Sequence, residues 1–121
     1  MMDLDHFKEV NDTYGHQAGD QVLINLVAKV NAVLRQPDHL GRYGGEEFVA
    51  LLPETSLEEA VSGAERIRAV CALPELGPSC TVSIGVTTRQ HDSDTVDTLI
   101  ARADAALYRA KVNGRNRIET A

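Results

Sequence analysis

Two adjacent glycines, Gly44-Gly45, set between the strand-like segments His39–Tyr43 and Glu47–Leu52, constrain this chain more than any other feature. Segments so placed read as a β-hairpin with its turn at the glycines. Upstream, residues 1–4 predict the tail of a strand running into Asp5, and His6–His16 a short helix and turn that close near Gly15 and Gly19. After Asp20, a predicted helix N-cap, the residues Leu23, Leu26, Val27, Val30, Val33 and Leu34 recur at intervals of three and four. That spacing predicts an amphipathic helix, which Pro37 prevents from continuing. Downstream, Ser56 with Glu59 predicts a capping box opening a helix with Leu57, Ala60, Val61, Ala64, Ile67 and Val70 inward. Val82, Ile84 and Val86 alternate as a half-buried strand does. A helix from Thr95 turns Leu99, Ile100, Ala103, Leu107 and Ala110 inward, Gly114 suits a left-handed C-terminal cap, and Asn116–Thr120 predicts a last short strand. This order of elements predicts a single α+β domain, an α/β sandwich in which helices flank a mostly antiparallel sheet.

Composition narrows the function. The two cysteines, Cys71 and Cys80, supply neither a disulfide framework nor a zinc-ligand pattern. No apolar run approaches the roughly 18 residues of a membrane span. Met1-Met2-Asp3-Leu4-Asp5 lacks the basic and apolar stretches of a secretory signal. These features predict a cytoplasmic domain without membrane contact of its own, alone or as the cytoplasmic part of a larger or membrane-attached protein. The net charge of −6 predicts no nucleic-acid partner. That charge is uneven: residues 1–60 carry 4 Lys/Arg against 11 Asp/Glu, and residues 61–121 carry 8 against 7.

The acids fall in two places. Asp3 and Asp5 lie two apart at a strand end and share a face when extended. Glu46 and Glu47 follow the hairpin glycines, which let a backbone or a bulky anion approach closely. If the hairpin pairs beside the first strand, three or four carboxylates converge, and an oxygen-seeking divalent cation relieves their repulsion. Solvated turn acids fit the same pattern, and the pattern leaves both readings open.

Several multi-residue motifs carry a resemblance that runs the length of the chain, in order. They are Asp3-Leu4-Asp5-His6-Phe7-Lys8, Asn11-Asp12, Tyr14-Gly15-His16, Gly19-Asp20 and Arg42-Tyr43-Gly44-Gly45-Glu46-Glu47-Phe48. Ser83-Ile84-Gly85-Val86 and the segment from Ala103-Asp104 to Gly114-Arg115-Asn116 follow. Together they resemble the GGDEF-type diguanylate cyclases. The resemblance implies a fold shared with nucleotidyl cyclases and polymerase palms. It implies condensation of two GTP into cyclic di-GMP with release of two pyrophosphates, across a homodimer in which each copy presents one GTP. It also implies two Mg²⁺ or Mn²⁺ per active site.

Carried over by position, Asp3, Glu46, Glu47 and the carbonyl of Leu4 resemble the metal ligands, with Glu46 also the proton acceptor. Lys8 resembles the transition-state cation, beside the amides of Phe7 and Lys8. Asn11 and Asp20 match the guanine-reading pair, an amide that donates and accepts beside a carboxylate that accepts. His16 matches a substrate contact. Lys111 and Arg115, spaced as neighbours on one helix face, match cations that meet the terminal phosphates. Asp5 is expected to cap the first helix.

A second site is implied by Arg35-Gln36-Pro37-Asp38, an R-x-x-D with five residues between Asp38 and Gly44. It matches the family's product-inhibitory site, with Arg66 as a secondary arginine. The family carries a helix and most of a central strand ahead of the Asp3 motif, so a sheet short of that strand is expected here. A catalytically inactive module that binds cyclic di-GMP is the competing expectation.

Overall fold

The computed structural model describes residues 1–121. Strand β1 (Met2–Leu4) leads to helices α1 (Phe7–Tyr14) and α2 (His16–Val33), then to the hairpin strands β2 (His39–Arg42) and β3 (Glu47–Leu51). Helix α3 (Leu57–Cys71), strand β4 (Val82–Val86), helix α4 (Val96–Val112) and strand β5 (Ile118–Thr120) complete the chain. The five strands form one sheet in the order β2-β3-β1-β4-β5, antiparallel throughout except for the parallel β4–β5 pair. The fold is therefore the α+β arrangement expected, with β1 at its centre.

Alternation along β1 and β4 divides the two faces of the sheet. Met2 and Leu4 join Val82, Ile84 and Val86 in the main core, against Phe7, Val22, Leu26, Val30, Ala64 and Ile67 of α1, α2 and α3. The opposite face meets α4, and there the sheet presents Ser83 and Gly85. A Cβ built on Gly85 would lie 2.1 Å from the Ala103 carbonyl and 2.4 Å from the Leu107 nitrogen. Glycine is what allows α4 to lie this close to the sheet.

Helix ends differ from expectation in informative ways. Asp20 is not an N-cap: Gly15, at φ 90°, breaks the chain between α1 and α2, and α2 already runs from His16 through Gly19 and Asp20. Asp5 does not cap α1 either; His6 stands at that position in the left-handed region, with φ 58° and no side-chain cap. Ser56 does cap α3, accepting from the Glu59 N–H at 3.2 Å, while its hydroxyl donates to the Glu59 carboxylate at 2.9 Å. Thr95 and Thr98 form the reciprocal box at the start of α4. At its other end the Gly114 N–H donates to the Lys111 carbonyl and the Arg115 N–H to the Ala110 carbonyl, the two bonds of a Schellman ending. Arg115, at φ 63°, therefore lies beyond the helix and does not share a helical face with Lys111.

In line with β1, between β3 and β4, lies a cleft of about 710 Å³ lined largely by apolar side chains, among them Val49, Leu51, Ile67, Val86 and Ile100. Met1 closes its lower end. The Met1 amine donates to the Gly85 carbonyl at 3.0 Å, and the Gly85 N–H donates back to the Met1 carbonyl at 2.8 Å. No helix is long and apolar enough to cross a membrane.

Candidate active site

The hairpin pairs beside β1, and this brings the two acidic segments together. Asp3 stands opposite Glu47 in the ladder, and the Leu4 N–H donates to the Glu46 carbonyl at 3.2 Å. The glycine tip is braced by Arg42, whose guanidinium donates to the Gly44 carbonyl at 3.1 Å and the Gly45 carbonyl at 2.6 Å. The Glu47 carbonyl accepts from the N–H groups of Tyr43 and Gly44. The sequence placed Arg42 in a motif without assigning it this brace. An arginine two residues ahead of the bare carbonyls of a Gly-Gly turn was the available signal.

Asp3 is buried, at 5% exposure, and its Oδ2 accepts from the Lys111 ammonium at 2.8 Å. Beside it, the Glu46 carboxyl is held above the usual carboxylate range. Loss of hydration is the largest cause; the charge of Asp3, a hydrogen bond to Asp3 and the charge of Glu47 add to it, while Lys111 opposes it. Glu47 does not join this pair: its side chain folds back along Gly44. Asp3 and Glu46 thus pair directly, with the Glu47 charge also reaching Glu46, and no group of three His, Cys, Asp or Glu side chains is set to hold a metal ion.

The donors present nevertheless suit a hard cation. Asp3 and Glu46 offer crowded oxygens, and an ammonium already stands where positive charge is needed. The Glu46 N–H does not return a bond to Leu4, so the ladder does not engage the Leu4 carbonyl on that side.

Asp5, two residues on, has a role that local pattern did not reveal. Its carboxylate accepts from Thr81 Oγ1 at 2.7 Å, Ser83 Oγ at 2.6 Å and the Asn116 N–H at 3.0 Å. It ties the end of β1 to β4 and to the turn before β5. The signal for it was the pairing of small hydroxyl residues with a strand-end acid, readable only once the strands are paired.

Around this centre the other residues take separate stations. Phe7 is buried, while Lys8 is exposed and makes no ion pair. Helix α1 opens without a side-chain cap, which leaves first-turn amides free for an outside acceptor. Asn11 is half-buried and packs against Gly19, where any Cβ would lie 1.8 Å from its Oδ1. Asp20, adjacent to Gly19, is exposed on α2, and His16 is exposed at the helix start. Arg115 is exposed and makes no ion pair.

The second candidate site is partly assembled. Asp38 Oδ2 accepts from the Arg35 N–H at 2.9 Å and lies 3.5 Å from Arg35 Nε, while Arg35 Nη2 donates to Thr55 Oγ1 at 2.9 Å. Asp38 Oδ1 is buried without a partner. Arg35 and Arg66 line one open pocket of about 690 Å³ with Glu58, Glu59 and Ser62. Asp38 supports Arg35 from beneath and does not line that pocket.

Known proteins match this geometry closely. Residues 1–117 match the family "Diguanylate cyclase, GGDEF domain". Diguanylate cyclase DgcM of Escherichia coli K12 is 47% identical over 120 residues, covering 98% of this chain and 29% of its own length. Diguanylate cyclase DgcP of Pseudomonas aeruginosa is 45% identical, covering all of this chain and 19% of its own. The chain therefore spans less than a third of these relatives. Among solved structures, the GGDEF domain of DgcB from Caulobacter crescentus in complex with c-di-GMP superposes with a TM-score of 0.93 at 36% identity, covering 98% of this chain and 74% of that one. Diguanylate cyclase SiaD of Pseudomonas aeruginosa, bound to its activator SiaC, superposes with a TM-score of 0.92 at 42% identity, covering 99% and 48%. With its family match, its relatives and its fold in agreement, the chain belongs to the GGDEF domain family of diguanylate cyclases.

Proposed function

We propose that this domain condenses two GTP molecules into cyclic di-GMP, each copy of a homodimer presenting one GTP to the other. The observation that carries the proposal is the Asp3–Glu46 carboxyl pair beside the Gly44-Gly45 tip, in a chain that keeps the family's motifs. In each half-reaction a 3′-hydroxyl oxygen bonds to the partner's α-phosphorus. The bond from that phosphorus to the β-phosphate breaks, and pyrophosphate leaves. Glu46 accepts the hydroxyl proton, a task suited to a carboxyl held above the usual range.

Asp3, Glu46, Glu47 and the Leu4 carbonyl would hold two Mg²⁺ or Mn²⁺ ions; Glu47 joins by swinging away from Gly44. Ions bound there would neutralise charge gathering on the phosphate and acidify the attacking hydroxyl. Lys8 stands free to meet transition-state charge, and the first-turn amides of Phe7 and Lys8 face the phosphates. Asn11 and Asp20 read guanine, with His16 nearby, while Lys111 and Arg115 meet the terminal phosphates. A cytoplasmic setting supplies the GTP.

Arg35, Arg66 and Asp38 form the product site, supported by the pocket the two arginines share and by the unpartnered Asp38 oxygen. The cleft in line with β1 suits the strand that the family carries ahead of the Asp3 motif. Incubation with GTP and Mg²⁺, followed by chromatography, tests the main reading: cyclic di-GMP should form, and Glu46→Ala should abolish it. The c-di-GMP complex of the DgcB domain favours one alternative, an inactive cyclic di-GMP-binding module. Tight binding of cyclic di-GMP without turnover of GTP would select that alternative. Inhibition that survives Arg35→Ala would overturn the product-site assignment.

A further inference from the structure

We propose that Lys111 is a stand-in for the metal, holding Asp3 until metal and nucleotide arrive together and then moving to the triphosphate. The inference rests on the cyclase reading above for the triphosphate, and on the geometry for the rest.

Asp3 is almost wholly withdrawn from water, so its charge needs a partner. Lys111 is that partner, at 2.8 Å, with its own side chain 35% exposed and its stem reaching from the last turn of α4. No other cation shares the duty. Lys8 and Arg115, the other basic residues given to this site, make no ion pair, and the groups facing the Lys111 ammonium are the carboxyls of Asp3 and Glu46. The helix that carries Lys111 is pressed on the sheet at Gly85, so its backbone is held while the flexible four-carbon stem can swing.

A divalent ion and the ammonium cannot both occupy the same carboxylate edge. Metal arriving alone takes the Asp3 carboxylate but leaves the Lys111 ammonium with only water in place of its ion pair. Metal arriving with a triphosphate gives the displaced ammonium new oxygen partners. The site is thereby tuned to take metal and nucleotide as one unit, and metal alone poorly. By linkage the same residue makes nucleotide binding more dependent on metal.

The test measures metal without turnover. Mn²⁺ alone is titrated into nucleotide-free protein and free Mn²⁺ is read by electron paramagnetic resonance, for wild type, Lys111→Met, Lys111→Arg and Asp3→Asn. Lys111→Met should tighten Mn²⁺ by about tenfold, equivalent to about 1.4 kcal/mol. Lys111→Arg should stay weak, and Asp3→Asn should lose the site. With Mn²⁺ present, 3′-deoxy-GTP should bind Lys111→Met more weakly than wild type. Unchanged or weaker Mn²⁺ binding by a cooperatively folded Lys111→Met overturns the proposal.

A second measurement needs no variant. In ¹⁵N-lysine spectra of the wild-type protein, the Lys111 ammonium should be protected from exchange without ligand and shift when Mg²⁺ and 3′-deoxy-GTP are added together. A signal unchanged by that addition also overturns it. A protein that makes no cyclic di-GMP yet shows the Mn²⁺ effect would sink the cyclase reading and leave standing the half of this inference that concerns Lys111, Asp3 and the metal.

Discussion

Asp3 and Asp5 are the same residue, two positions apart at one strand end, and buried to the same degree, with 5% and 4% of their surface exposed. Their surroundings differ in kind. Asp5 is met by three donors built into the fold: two hydroxyls and a backbone N–H. One hydroxyl lies within β4, one immediately before it, and the N–H is backbone in the turn before β5. Asp3 is met by one ammonium on a flexible stem and crowded by Glu46. Burial by itself separates nothing here. What sets Asp3 apart is that its one partner sits on a flexible stem.

The strongest test of this contrast is a pair of substitutions. Asp3→Asn should reduce cyclic di-GMP synthesis by about 10²–10⁴-fold, the range for losing a group that acts in the transition state. It should leave the urea midpoint close to wild type. Asp5→Ala should do the reverse first, lowering stability by about 2–4 kcal/mol because three donors, the Ser83 hydroxyl fully buried, lose their acceptor. Chemical denaturation and a turnover assay on both variants decide it. Equal loss of stability in the two would erase the distinction.

A smaller effect is expected from Gly85→Ala. The added methyl would collide with the Ala103 carbonyl and the Leu107 nitrogen, backbone atoms that cannot turn aside. Overpacking of this sort costs about 1–3 kcal/mol. It should also lift α4 and lengthen the reach of Lys111 to Asp3, so the denaturation midpoint and the protection of the Lys111 ammonium should fall together.

The smallest effect reads the charge of Asp5 from a neighbour. Burial pushes the Cys80 thiol up to about 11, and the charges of Asp5 and then Glu46 push further in the same direction. A thiol pKa raised by folding contributes stability below the unfolded value of about 9. That contribution is lost as pH climbs through about 11, because the folded state then holds a proton the unfolded chain would have released. Asp5→Asn should move the pH profile of Cys80 alkylation downward by a fraction of a unit. An unmoved profile would mean the Asp5 charge is neutralised by its donors before it reaches the thiol.

Much of this was legible in the residues. Element order, the hairpin and the mostly antiparallel sheet follow from periodicity and from Gly44-Gly45, which act over a few residues. The misreadings share a cause. Asp5 precedes a helix and looks like a cap, but its donors lie 76 to 111 positions away, where no local pattern reaches. Gly19 looks like a turn residue, yet it lies inside α2, buried against Asn11. Arg115 looks like a helix neighbour of Lys111 because the spacing is right, but the Schellman ending turns the chain before it.

If Asn11 reads guanine as proposed, its contact with Gly19 has a consequence for how that base would be told apart from its relatives. With no Cβ on α2 to hold it away, the Asn11 amide is wedged between the two helices before any ligand arrives. An amide on an open surface would have to surrender rotational freedom each time it read a purine edge. This one gives up that freedom once, when the chain folds. Discrimination among nucleobases would then come from a fixed template rather than from a side chain that can turn to suit whichever base is offered.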